Sequence, residues 1–172
     1  MPLTDPVRLF LAPEQPAEAV RLISDGGRNG RWSWLMLPDG PVQSLALDDG
    51  AQVGATLSKL LKSRVFPVDP DGPPYQGGLV GLLAYSYGSV REPSTRRDDN
   101  DPWPVLMAAR IHALLAFDHD TQTLWAVGCG DSPEAAQKAR QSAEACATLS
   151  SRDDDHSRAS LPPPLAHAFV PD

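Results

Sequence analysis

Alternation with a period of two dominates the apolar pattern in the middle of the chain, and helical spacing interrupts and closes it. Residues 31–37, RWSWLML, place Trp32, Trp34 and Met36 on one face of a strand and Ser33, Leu35 and Leu37 on the other. Both faces are largely apolar, which predicts an interior strand. Pro38 to Gly40 reads as a turn, and residues 41–47 read as the second strand of a hairpin. Residues 105–117 and 123–128 form two more strands, joined by a turn at Asp118, His119 and Asp120. A short strand over 7–11, set between prolines, precedes them all.

Helical spacing occurs three times. Ala17, Val20, Leu22 and Ile23 form a stripe after Pro16 that stops at Gly26 and Gly27. Residues 51–64 turn Val53, Leu57, Leu60 and Leu61 inward. The third helix opens at Ser132-Pro133-Glu134, with a capping hydroxyl, a first-turn proline and an acid at the positive end of the dipole. It runs to about Leu149 on a stripe made mostly of alanine. This order predicts an α+β fold with a mostly antiparallel sheet and packed helices over residues 1–149. Residues 150–172 turn polar and then proline-rich, which reads as a flexible tail or an interdomain linker.

Charge and composition narrow the function classes. Fifteen basic against twenty-two acidic side chains leave a net charge of −7, which repels phosphate backbones and anionic membranes. Nucleic acid is not an expected partner. The longest weakly polar run, 79–87, is far below the ~20 residues that span a bilayer, and the first fifteen residues lack a basic start with a long apolar stretch. A soluble, cytoplasmic protein without a secretory signal is the expectation. Cys129 and Cys146 are too few for a disulfide framework and too far apart for a CxxC metal or redox pair.

No GxSxG, HExxH or Walker sequence occurs, so no catalytic residue and no metal site is assigned. Gly77-Gly78-Leu79-Val80-Gly81 matches neither phosphate-loop pattern, and reads as a bulge or a sharp start to a buried strand. His112, inside an apolar strand, reads as a satisfied core or edge histidine. Asp98, Asp99 and Asp101 beside Arg96 and Arg97 read as a solvated face. Trp32, Trp34, Tyr85 and Tyr87 with Ser24 and Arg31 offer the parts of a pocket for a small amphipathic ligand. Tryptophans at period two are equally the parts of a core.

Residues 73–88, PPYQGGLVGLLAYSYG, resemble the segment that reads LPFQGGxxGxxxYDLG in component I of anthranilate synthase and aminodeoxychorismate synthase. The proline, the aromatic residue, Gln76, Gly77, Gly78, Gly81, Tyr85 and Gly88 fall in register. Upstream, RLISDGGRNGRWSWLMLPDG is similar to that family's LLxS element, loop and R-aromatic strand. Downstream, Pro104, Met107, Ile111 and Asp118-His119 match its stretch ending in Asp-His. Three elements in order span residues 20–128.

The resemblance implies the amino-terminal, non-catalytic domain of a chorismate-utilising enzyme in folate (4-aminobenzoate) or tryptophan biosynthesis, with the aminodeoxychorismate branch preferred. The catalytic region, with its acid/base groups, its Mg²⁺-binding glutamates and its lysine motif, is absent from this chain. It would act in cis or in trans, and a glutamine amidotransferase component would supply ammonia. A split, truncated or separately expressed domain is the expectation. By the same resemblance Ser24 corresponds to the serine that contacts a bound tryptophan, and Trp32 to the aromatic beside it; Arg31 completes the trio. Gln76, Gly77, Gly78, Gly81, Tyr85 and Gly88 carry structural roles. Ser86 stands where the family pattern has aspartate, and LISD replaces LLES or LLHS. The alternatives are a free-standing amino-acid binding domain and an inactive truncated product.

Overall fold

A computed structural model describes residues 6–28, 30–61, 68–92 and 103–149. The elements in chain order are α1 (Pro6–Phe10), β1 (Val20–Leu22), β2 (Trp32–Pro38), β3 (Gln43–Leu45), α2 (Val53–Leu61), β4 (Gly78–Leu83), α3 (Tyr87–Arg91), β5 (Leu106–Asp118), β6 (Thr123–Gly128) and α4 (Pro133–Leu149). A 3₁₀ turn over Leu47–Gln52 leads into α2.

β5 organises the sheet. Its LMAARIHALLAFD sequence is mostly apolar on both faces, as expected of a strand in the interior of a sheet. Among the described residues it has four neighbours, all antiparallel. β2 pairs with its second half and β3 with its first, end to end along one edge. β6 and β4 do the same along the other edge. β1 adds outside β2, so β2 lies between two strands as its two apolar faces predict.

Along β5 the alternation of faces breaks once. Leu37 pairs with Ala113 but Pro38 pairs with Ile111, so His112 is an extra residue with no Cα partner, a β-bulge. The bulge inverts the parity. Leu106 and Ala108 before it share a face with Ala113, Leu115 and Phe117 after it, while Ala109 and Ile111 share the opposite face with Leu114 and Ala116.

The helices cover the first of these faces. Leu9 and Phe10 of α1, with Ala139, Ala143 and Cys146 of α4, pack against Leu35, Ala113, Leu115 and Phe117. The alanine stripe lets α4 sit close. A side chain at Gly128 would run into the backbone of α4 at Ala136 and Arg140, so only glycine fits where β6 passes under the helix. Val53, Leu57 and Leu60 of α2 and Tyr87 of α3 continue the layer over Leu106 and Ala108. Among the described residues the second face is built by strand residues and Tyr75: Val20, Trp32, Trp34, Met36, Val80, Ala109, Ile111, Leu114, Ala116, Trp125 and Val127. Trp34 and Trp125 flank the small, fully buried Ala116 from the two neighbouring strands.

Side chains tie up the helix ends. Buried Gln15 donates through Nε2 to the carbonyls of Leu9 (3.1 Å) and Cys146 (2.8 Å), which helix geometry leaves without intrahelical donors. Arg21 donates to the carbonyls of Phe10, Pro16 and Ala19. Ser132 caps α4, its hydroxyl accepting the Ala135 N–H at 3.2 Å.

Four local expectations are corrected. Of residues 7–11, the first four belong to the short helix α1 rather than to a strand, because Leu9 and Phe10 both turn into the core, which an alternating strand forbids. The stripe at Ala17, Val20, Leu22 and Ile23 is a turn followed by β1, since pairing with β2 and the Arg21 bonds override helical spacing. The strand after Gly40 makes no hairpin with β2. β1 and β5 already occupy both edges of β2, so β3 runs on along β5, with the Asp39 N–H donated to the Arg110 carbonyl at the crossing (2.7 Å). Leu61 ends α2 at 64% exposure instead of facing inward. The tail 150–172 and the charge cluster at 96–101 lie outside the described residues. Among the described residues no helix is long and apolar enough to cross a membrane.

Candidate functional site

The three residues of the expected ligand site gather around the β5–β6 turn, in two groups. Arg31 precedes β2 and bends onto the second face. Its Nε donates to Asp118 Oδ1 at 2.9 Å and its Nη2 to Asp118 Oδ2 at 2.6 Å, a two-point pair, with Asp120 Oδ2 3.4 Å from Nε. Its guanidinium stands 5.2 Å from the centre of the Trp32 ring, and Trp32 stacks on Trp34 with centroids 6.2 Å apart. Trp32 and Asp118 are direct cross-strand partners, which explains why arginine, aspartate and tryptophan meet although 87 positions separate the charged pair.

Asp118 is 2% exposed, and a carboxylate so placed needs compensation. Arg31 hydrogen bonding holds its carboxyl well below the usual carboxylate range, outweighing the opposing effect of burial, with help from the Asp120 N–H at 3.0 Å. The same hydrogen bond raises the guanidinium of Arg31, against a smaller opposing effect of desolvation.

Ser24 belongs to the second group. Its N–H donates to the buried Ser33 hydroxyl at 2.9 Å, and that hydroxyl lies 2.8 Å from His119 Nε2. The Ser24 hydroxyl itself accepts the Gly26 N–H at 3.3 Å, and a side chain at Gly30 would collide with it. The His119 ring meets Phe117 edge-on at 5.0 Å and has Gly26 against its other side. Asp118 and His119 thus bind two different segments of the 24–33 region from adjacent positions: the aspartate takes Arg31, and the histidine takes Ser33 and, through it, Ser24. The expected turn at Asp118-His119-Asp120 is shifted by one residue, since Asp118 is still paired in β5 and the turn begins at His119, and the side chains of both residues act as clamps. In the sequence Ser33 was legible only as an isolated polar residue in an apolar strand, and Asp118 only as a turn residue and as part of the matched Asp-His pair.

Tyr85 and Tyr87 do not join this group. Tyr85 is 99% exposed just beyond β4, and Tyr87 packs with Leu106 and Ala108 on the helical face, so the expected convergence of these tyrosines with Trp32 and Trp34 is corrected. The glycine-rich stretch is a sharp start to a strand, as expected, but that strand is a half-exposed edge rather than a buried one. Gln76 holds the loop before it. Its Oε1 accepts the Asp69 N–H at 2.9 Å, and its Nε2 donates to the carbonyls of Asp69 (2.7 Å) and Pro73 (3.0 Å). Gly77 and Gly78 follow at φ of 123° and 120°. Gly81 lies close over the Met107 carbonyl, and Gly88 sits in α3, where its own carbonyl accepts the Glu92 N–H.

Around the bulge, buried polar atoms accumulate. The Cys129 N–H donates to the His112 carbonyl at 2.8 Å and its thiol reaches the same carbonyl at 3.4 Å. Burial pushes the Cys129 thiol up, with Asp39 adding to the effect, and burial pushes the Tyr75 hydroxyl up to about 12. A raised thiol is the reverse of what a nucleophile needs. Among the described residues no cluster of three or more metal-binding side chains forms. Neither protein-family models nor the curated proteins yield a match to this chain.

Proposed function

We propose that this chain is the non-catalytic amino-terminal domain of a component I chorismate-utilising enzyme, of the aminodeoxychorismate synthase branch in preference to the anthranilate synthase branch. In this reading it supports the amination of chorismate and leaves the chemistry, with its Mg²⁺, to a catalytic region in cis or in trans. Ammonia would come from a glutamine amidotransferase component. The observation that carries the reading is the one-sided build of the sheet. Among the described residues, helices α1, α2, α3 and α4 contribute to the clusters on one face, whereas the apolar cluster on the other, with Trp32, Trp34 and Trp125, contains no helical residue. A second layer belongs on such a face. Support also comes from the three stretches that carry the resemblance, which occupy β1 with β2, β4 and β5 of one sheet.

The test mixes this chain with the isolated catalytic region of an aminodeoxychorismate synthase and follows both binding and conversion of chorismate with ammonium. A complex with raised turnover is expected. No binding, or binding without effect on turnover, overturns the proposal. The amino-acid-binding alternative depends on Ser24, Arg31 and Trp32. In the structure Arg31 already holds Asp118, with Asp120 nearby, so a ligand carboxylate would compete with two carboxylates already in place.

A further inference from the structure

Among the described residues β4 pairs only with β5. The Ala84 N–H donates to the Val105 carbonyl at 3.0 Å, just past the ladder, and antiparallel alternation from that bond turns the N–H and C=O groups of Leu79, Gly81 and Leu83 away from β5. Free strand edges normally carry lysine, proline or a bulge to discourage pairing. This one carries none: GLVGLL is uncharged throughout, and no charged residue occurs between Asp71 and Arg91 in a chain of net charge −7. Apolar side chains accompany the bare edge, with Leu82 at 45% and Leu83 at 51% exposure and Tyr85 projecting just beyond.

We propose that this edge is a self-association surface on which a second copy of the chain lays its own β4 antiparallel, joining two sheets into one. The occupant of such an edge must be an extended strand, because backbone donors and acceptors are what it offers. The sequence is self-complementary about Gly81. Leu79 falls opposite Leu83 of the second copy, Val80 opposite Leu82, and glycine opposite glycine at the two-fold axis, where no side chains collide. Like charges, which elsewhere keep copies of an acidic protein apart, are absent from the contact. A two-fold pairing of this kind closes on itself. It is independent of the function proposed above, which concerns a face of the sheet rather than its edge.

Sedimentation velocity of the whole chain under reducing conditions, from about 1 to about 200 μM, tests it. The expected result is a concentration-dependent rise to twice the 18.5 kDa mass, unchanged in Leu61→Lys, which removes an exposed leucine elsewhere, and lost in Leu83→Lys. Amide exchange provides a readout that does not depend on a variant folding: Leu79, Gly81 and Leu83 should gain protection with concentration. A single-copy mass throughout, a dimer that survives Leu83→Lys, or edge amides indifferent to concentration would each overturn the proposal.

Discussion

Replacing Gly77 by alanine tests the junction where β4, β5 and β6 meet. At φ of 123° an L-residue is strained, at about 1–3 kcal/mol. The added methyl would also stand 2.6 Å from Cys129 Sγ and 3.2 Å from the Ile111 carbonyl. The thiol can swing about its single torsion, whereas the carbonyl belongs to the bulge and cannot, so part of the conflict is relievable. Reduced freedom of the unfolded chain returns about 0.4–1 kcal/mol. The net expectation is about 3 kcal/mol of destabilisation. With a urea slope of about 2 kcal/mol/M, the midpoint followed by tryptophan fluorescence should fall by about 1.5 M. In a Cys129→Ala background the Sγ contact is gone and the penalty for Gly77→Ala should shrink by about 1 kcal/mol. A midpoint within about 0.25 M of the parent, or strict additivity of the two substitutions, would refute the account of this junction.

Other consequences are open to direct measurement. Asp118 has a folded-state pKa below its unfolded value, so its contribution to stability is complete above about pH 4 and is lost as pH falls toward the folded value. Urea midpoints should therefore decline below about pH 4 in the parent, and Asp118→Asn should be less stable at pH 7 with a shallower acid slope; parallel pH curves would contradict this. Phe117→Ala should cost about 3–5 kcal/mol by calorimetry or denaturant, because the ring is fully buried against Leu9, Phe10 and α4. Gln15→Ala leaves two buried carbonyls without their donor and should cost about 1–3 kcal/mol. In native protein at pH 7.5, Cys146 should react with a thiol reagent orders of magnitude more slowly than in urea, since burial both hides the thiol and raises its pKa.

Several elements were legible because local and tertiary preferences agree. β2, β5, β6 and α4 lie where the apolar pattern puts them, and the opposed faces of β2 are assigned correctly down to Trp32 and Leu35. Alternation and capping are short-range signals, and these segments bury enough surface for such signals to survive folding. Short elements were not legible in this way. In α1 and β1, five and three residues carry too little pattern, and their form is decided by what they dock on: the core for Leu9 and Phe10, the edge of β2 for Val20 and Leu22.

The sequence by itself determined an α+β chain with an apolar central strand, a capped alanine-striped helix and a glycine-led strand, and it marked Ser24, Arg31 and Trp32 as neighbours along the chain. Only the tertiary structure decided that β3 follows β2 along the same edge of β5, because the choice of strand partner depends on which edges are already filled. Only it placed the bulge at His112. One inserted residue reverses every face assignment on one side of it, and nothing in a strand that is apolar on both faces reveals where the reversal falls. Arg31 and Asp118 show the same limit at the candidate site. Their pairing follows from the antiparallel register of β2 on β5, and register is a property of two strands together.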